Sequence, residues 1–188
     1  HIVPGGIEIH SHGAGGRDFM EGTEEAFKVA IQTHMRYGTT SIFPTLSSST
    51  VQMIRAAAET TEKLMAEVDS PVLGLHLEGP YFNKKMAGAQ IPEWIKDPNP
   101  EEYIPLLEDT HCIKRWDAAP ELSGAMQFGK YITSKGVLAA VGHTQAEFED
   151  IRTAYEVGYK HATHFYNAMP GFHKRREYKY EGTVESIY

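Results

Sequence analysis

The sequence predicts an α/β fold organised around a parallel sheet, and three observations carry that prediction. Six short apolar or β-branched runs recur along the 188 residues, most of them separated by helix-like segments; strand–helix–strand repetition of this kind builds parallel sheets. One run, "VLGLHLE" (72–78), is apolar at Val72, Leu73, Leu75 and Leu77 instead of alternating, which marks a strand covered on both faces. No GxGxxG follows the first run and no GxxxxGK[ST] occurs anywhere, which removes the main nucleotide-binding versions of a doubly wound sheet. A TIM-type (β/α)8 barrel is left. Eight units close such a barrel, so residues 1–188 are expected to form one partial barrel domain of about six βα units.

The first run is "GGIEIHSH" (5–12), and the second is "TSIFPT" (40–45). Between them Thr23 predicts a helix N-cap with Glu24 and Glu25 in the first turn, where the helix dipole favours anions, and Gly38 predicts the stop. A second helix over 49–68 leads to the third run at 72–78, which ends in Glu78. The stretch 83–111, richer in proline and charge, reads as a long loop with one short helix before the fourth run, "CIKRWDAAPE" (112–121). A helix over 125–136 precedes the fifth run, "VLAAVGHT" (137–144), and one over 145–158 precedes the sixth, "HATHFYNAM" (161–169).

Composition limits the function. No apolar stretch approaches the roughly 20 residues of a membrane helix, and the net charge of −7 argues against a general nucleic-acid surface. The basic, aromatic run "FHKRREYKY" resembles a nucleic-acid patch in miniature, but a solvated basic loop or an anion contact is the better reading in so acidic a chain. The one cysteine, Cys112, forms no internal disulfide, which agrees with a reducing, cytoplasmic location. The start, "HIVPGG", has neither an initiator Met nor a signal peptide and reads as an excised or processed piece.

Ten histidines are the unusual count, and position sorts them. His10 and His12 lie two apart on the first run, so strand geometry points both to the same side. The "GAGG" that follows would let backbone approach a ligand closely. Glu78, His143 and His164 sit at or near the ends of the third, fifth and sixth runs, and the carboxyl ends of barrel strands gather on one rim. A carboxylate and two imidazoles with an open fourth position is a way to hold catalytic zinc; iron, cobalt or manganese suit the same donors, as one ion or two. His34 falls inside a helix, His76 reads as core and His111 as loop.

With those residues in view, "PGGIEIHSHG", "GLHLEGPYFNKKMAGA", "DAAPE", "VGHTQA" and "ATHFYNAMP", in that order, resemble the N-acetylglucosamine-6-phosphate deacetylase family of the amidohydrolase superfamily, from Pro4 to about Glu177. The resemblance implies a (β/α)8 barrel beside a small β-sandwich, a homodimer at full length, and metal-dependent removal of acetate from a sugar phosphate in amino-sugar catabolism. It implies Glu78, His143 and His164 as principal metal ligands and His10 and His12 as a pair that helps hold a second ion. Ala89 matches a sugar-contacting backbone position, and Asn167 and Ala168 match contacts to the phosphate end. Arg176, then Arg175, matches the phosphate-binding arginine.

The sequence also departs from that pattern. Glu8 replaces the usual Asp; a longer carboxylate there could orient a neighbouring histidine. Gln90 replaces a common histidine; it can bond a sugar hydroxyl but cannot carry a proton. The general acid–base Asp, a substrate-binding histidine and the β-sandwich have no counterpart in this chain, so no residue is assigned as catalytic and turnover is expected to be weak or absent. The alternatives are a dihydroorotase- or hydantoinase-like ring opener, which would ordinarily use a carboxylated lysine where Glu78 stands, and a non-catalytic metal-binding fragment that self-associates or needs a partner chain.

Overall fold

The computed structural model describes residues 2–188. Six strands, β1 (Gly6–Ser11), β2 (Thr39–Leu46), β3 (Leu75–Glu78), β4 (Ile113–Ala118), β5 (Leu138–Val141) and β6 (Tyr159–Ala162), form one sheet in sequence order. Every neighbouring pair is parallel. The sheet is an incomplete TIM-type barrel, a curled half-barrel with β1 and β6 on its outer edges.

Helices connect the strands and cover the convex face. Helix α1 (Glu24–Arg36) starts at Thr23, whose hydroxyl accepts the Ala26 amide at 3.3 Å, and buries Ala26, Phe27, Ala30 and Ile31 on one face. That spacing is the apolar stripe of a surface helix. Helix α2 (Val51–Met65) is capped by Thr50 in the same way. The loop-rich stretch expected at 83–111 contains α3 (Pro100–Asp109), capped by Asn99 with proline in its first turn. Helices α4 (Ala125–Ser134) and α5 (Phe148–Val157) follow, and the short α6 (Thr183–Ile187) packs by α5.

Alternation along the central strands explains why the third run looked apolar throughout. Leu75 and Leu77 join the helix-side core, while His76 and Glu78, equally buried, carry polar groups that bond across the barrel interior. The helix-side core is densest where Trp116, Tyr81, Tyr103 and Phe128 meet, Trp116 stacking on Tyr81 at 5.7 Å and standing edge-on to Phe128 at 5.1 Å. Trp116 and Tyr81 are the largest fully buried side chains, and the four rings anchor β4 to α3 and α4.

Three local expectations are corrected. The sixth strand lies at Tyr159–Ala162, not over 161–169: Gly158 ends α5 in the left-handed region at φ 117°, so the chain is already extended at Tyr159. The fourth strand stops at Ala118, leaving Glu121 in the following loop. The "GAGG" glycines shape a hairpin over residues 13–18, with Gly15 and Gly16 both at positive φ (64° and 79°) as a two-residue type I′ turn requires, and they do not line the cavity described below.

Candidate metal centre

Five side chains converge at the carboxyl ends of the strands. Glu78 closes β3, His10 lies on β1 and His12 just past it, and His143 and His164 each sit two residues beyond β5 and β6. His143 and His164 have positive φ values, 45° and 32°, a backbone region that non-glycine residues occupy only when their surroundings enforce it. Several bonds do so. Thr144 donates to the Glu121 carboxylate, which also accepts the Gln145 amide at 2.6 Å and the Asn83 side chain at 2.9 Å. The Thr163 hydroxyl donates to Asp117 at 2.6 Å.

Glu78 is the centre of the cluster. One carboxylate oxygen lies 3.1 Å from His143 Nε2 and 3.0 Å from His164 Nε2, and those two nitrogens are 3.0 Å apart. The other oxygen lies 2.9 Å from His12 Nε2 and 3.6 Å from His10 Nε2, with the two imidazole nitrogens 3.2 Å apart. That oxygen also accepts from Gln90 Nε2 at 2.9 Å. Burial works against ionisation of Glu78, but bonds from the four imidazoles overcome it and hold its carboxyl well below the usual range. In turn the Glu78 bond raises His12 and His164 above the ordinary imidazole value, opposed by burial.

The tautomers fit a cation. His143 Nδ1 is 2.8 Å from the Met86 carbonyl and His164 Nδ1 is 3.1 Å from the Asn167 carbonyl. A carbonyl only accepts, so both Nδ1 atoms carry hydrogen; a protonated ring then donates from Nε2 to Glu78, and a neutral one turns an Nε2 lone pair toward it. Two lone pairs and a carboxylate oxygen facing one another need a proton or a cation among them. Two donors about 2.0–2.2 Å from one tetrahedral zinc ion stand roughly 3.3–3.6 Å apart, and the 3.0 Å nitrogen spacing is within a few tenths of an ångström of that. Both Glu78/His143/His164 and His10/His12/Glu78 bring their donor atoms within 4.8 Å of one another and could each hold an ion.

A cavity of about 680 Å³ opens over these donors, and Ala89, Gln90, Asn167 and Ala168 line it together with Ser47 and Lys85. Gln90 is buried, and both ends of its amide are engaged, one by Glu78 and the other by the Ser48 backbone amide at 2.6 Å. It therefore orients the Glu78 carboxylate, and the second hydrogen of its Nε2 is not used by these two bonds. Arg175 and Arg176 are not brought to the cavity. They sit on the hairpin of residues 173–180, where Arg175 pairs with Glu147 and lies over Tyr180, and Arg176 forms the exposed turn at φ 58°. Glu8 accepts the His10 backbone amide at 2.9 Å instead of a ring nitrogen. His34 bonds Ser11, and His111 uses its backbone amide to bond Glu62.

Sequence reasoning missed Lys85, the Met86 carbonyl and the buried trio His76, Arg115 and Asp117. Parity was the available signal: Arg115 and Asp117 are two apart on one strand, as His76 and Glu78 are on the next.

A curled parallel sheet whose rim presents one shared carboxylate and four imidazoles is the arrangement of a TIM-type barrel with a candidate metal site. The chain belongs to the amidohydrolase family, whose model matches residues 1–179. It is 33% identical over 178 residues to the N-acetylglucosamine-6-phosphate deacetylase of Vibrio furnissii, covering 93% of this chain and 44% of that protein. It superposes on the N-acetylglucosamine-6-phosphate deacetylase of Pasteurella multocida with a TM-score of 0.90 at 28% identity, covering 98% of this chain and 48% of that one. A Mycobacterium smegmatis N-acetyl-D-glucosamine-6-phosphate deacetylase variant, solved with N-acetyl-D-glucosamine-6-phosphate, superposes with a TM-score of 0.89 at 29% identity over 98% of this chain and 47% of that one. The chain thus spans about half the length of the relatives it matches. Among the described residues, no helix is long and apolar enough to cross a membrane.

Proposed function

We propose that this chain carries the metal-binding half of a deacetylase acting on N-acetylglucosamine-6-phosphate, releasing acetate and glucosamine-6-phosphate in amino-sugar catabolism. The observation that carries the reading is the convergence of Glu78, His143 and His164 with both imidazoles locked in the ligand tautomer. The names of the relatives, and the ligand held by the Mycobacterium smegmatis protein, support the substrate. A carboxylate and two imidazoles favour zinc over iron, cobalt or manganese. When bound, a divalent ion supplies a nucleophilic water near neutral pH and polarises an amide carbonyl.

The remaining chemistry belongs to the chain's own residues. Glu78, His143 and His164 would hold the principal ion, and His10 and His12, sharing Glu78, a second. Gln90 keeps Glu78 in place from behind. Ala89, Asn167 and Ala168 line the cavity and would orient the sugar phosphate; Lys85, which lines it too and has no ion pair among the described residues, is the cation placed to meet the phosphate. The cytoplasmic setting and the homodimer implied by the resemblance go with this reading. Among the described residues Glu78 is the sole carboxylate lining the cavity, so binding is the property to measure first.

Metal content and ligand affinity test the proposal. Purified protein should retain at least one zinc ion per chain, and His164→Ala should lose it. The zinc-loaded protein should bind N-acetylglucosamine-6-phosphate more tightly than N-acetylglucosamine by calorimetry. An unchanged zinc stoichiometry in His164→Ala overturns the metal site, and equal affinity for the two sugars overturns the substrate.

A further inference from the structure

Directly beneath the metal centre lies a fully buried polar cluster that no metal ligand requires for its own bonding. Asp117 and His76 are wholly inaccessible, and Arg115 is nearly so. One Asp117 oxygen is 2.9 Å from His76 Nε2 and 3.4 Å from Arg115 Nε; the other accepts from Thr163 at 2.6 Å. Arg115 then spreads its fork, Nη2 donating to Thr163 Oγ1 at 2.5 Å and Nη1 to the Ile9 carbonyl at 3.2 Å. Ile9 precedes His10 on β1, and Thr163 precedes His164 beyond β6. One guanidinium therefore spans the concave interior from the first strand of the sheet to the last.

The carboxylate repeats that connection through different atoms. His76, placed by Asp117 and by Thr45 at 3.1 Å, stands edge-on to the His10 ring at 4.9 Å and 84°. Thr163, placed by Asp117 and Arg115, fixes the backbone that turns His164 inward. The His10 and His164 rings themselves are 5.9 Å apart. Apolar side chains of the same volume would fill this space at least as favourably, since desolvating buried charges offsets most of their attraction; the best-attested use of such a cluster is to impose a register.

We propose that Asp117, with Arg115 as its counter-charge, is the positioning residue that sets the separation between the His10/His12 pair and the His143/His164 pair. It touches neither cation position and acts through His76 on one flank and Thr163 on the other. The inference rests on the metal reading above and is independent of the substrate. Partners of this kind typically change metal affinity by about 10–100-fold when removed.

The test uses cobalt as both probe and reporter. Asp117→Asn is isosteric and still accepts from Thr163. The double variant Arg115→Met/Asp117→Leu removes both charges together, so neither is left buried alone. Each is compared with wild type for cobalt affinity, for the visible absorption of the cobalt-loaded protein, and for circular dichroism in EDTA. The expected result is a 10–100-fold loss of cobalt affinity with an altered visible band, in protein whose circular dichroism in EDTA is native. Affinity within twofold and an unchanged band in whichever variant is folded overturns the inference. Loss of native circular dichroism in EDTA by both variants also overturns it, because the cluster would then support the whole fold and not the site. Wild type that takes up no cobalt overturns the metal reading itself.

Discussion

Replacing Gln90 with leucine separates two roles that the sequence could not. Its Nε2 donates to the buried Glu78 carboxylate at 2.9 Å and its Oε1 accepts the Ser48 amide at 2.6 Å. A hydrogen bond to a charged group contributes about 1.5–3 kcal/mol, and orphaning a buried amide costs about 1–3 kcal/mol. Leucine regains some apolar contact in the same volume, which puts the net destabilisation of the cation-free chain at about 3 kcal/mol. For a chain of this length that is a fall of roughly 6–12 °C in melting temperature. Zinc affinity, measured against a chromophoric chelator, should fall by about 10–100-fold because Glu78 loses its support. A Gln90→Leu protein with wild-type melting and zinc affinity but diminished affinity for the sugar would refute this reasoning and restore Gln90 as a sugar contact.

The other predictions address core, charge and specificity. Phe128→Ala removes a fully buried ring that stands edge-on to Tyr81, Tyr103 and Trp116, and should cost about 3–5 kcal/mol in urea denaturation; a loss below about 1 kcal/mol contradicts the packing. In cation-free protein Glu78 raises His12 and His164, so the stability these groups contribute is complete below about pH 6.5 and is lost as pH rises through the raised values. Glu78 itself is lowered, and its contribution is lost only in acid, outside this window. The melting temperature in EDTA should therefore decline above about pH 6.5, whereas with excess zinc it should climb there as the ligands shed protons; parallel profiles contradict the site. Lys85→Ala should weaken binding of the phosphorylated sugar about tenfold while sparing the unphosphorylated one, an ion-pair effect of about 1.4 kcal/mol. Arg176→Ala should leave both unchanged in calorimetry, and an equal loss on both sugars would exclude an ionic role for Lys85.

The parts of the fold that could be read directly are those set by short-range pattern. Thr23 and Gly38 bracket α1 because capping and left-handed termination are local chemistry, and the strand order follows because consecutive βα units lie side by side. Glu78, His143 and His164 stood out because each interrupts or follows an apolar run near its end. What could not be read depends on partners distant in sequence. Nothing near Gln90 signals that its amide is divided between Ser48 and Glu78. Asp117 was hidden inside a run carried on to Glu121, and Arg115 meets Ile9 across 106 positions. The basic run shows why sequence proximity does not fix spatial position: it forms a hairpin turning at Arg176 on the exposed surface, where Arg175 pairs with Glu147.

The division of the Glu78 carboxylate has a thermodynamic consequence. Because each oxygen serves a different pair of imidazoles, charge withdrawn by an ion on one side is charge no longer offered to the other. Ions held at both positions would be linked in occupancy, and linkage is reciprocal: whatever factor the first imposed on the second, the second would impose on the first. A two-ion site built around one shared anion would fill as a graded pair and not as two independent receptors.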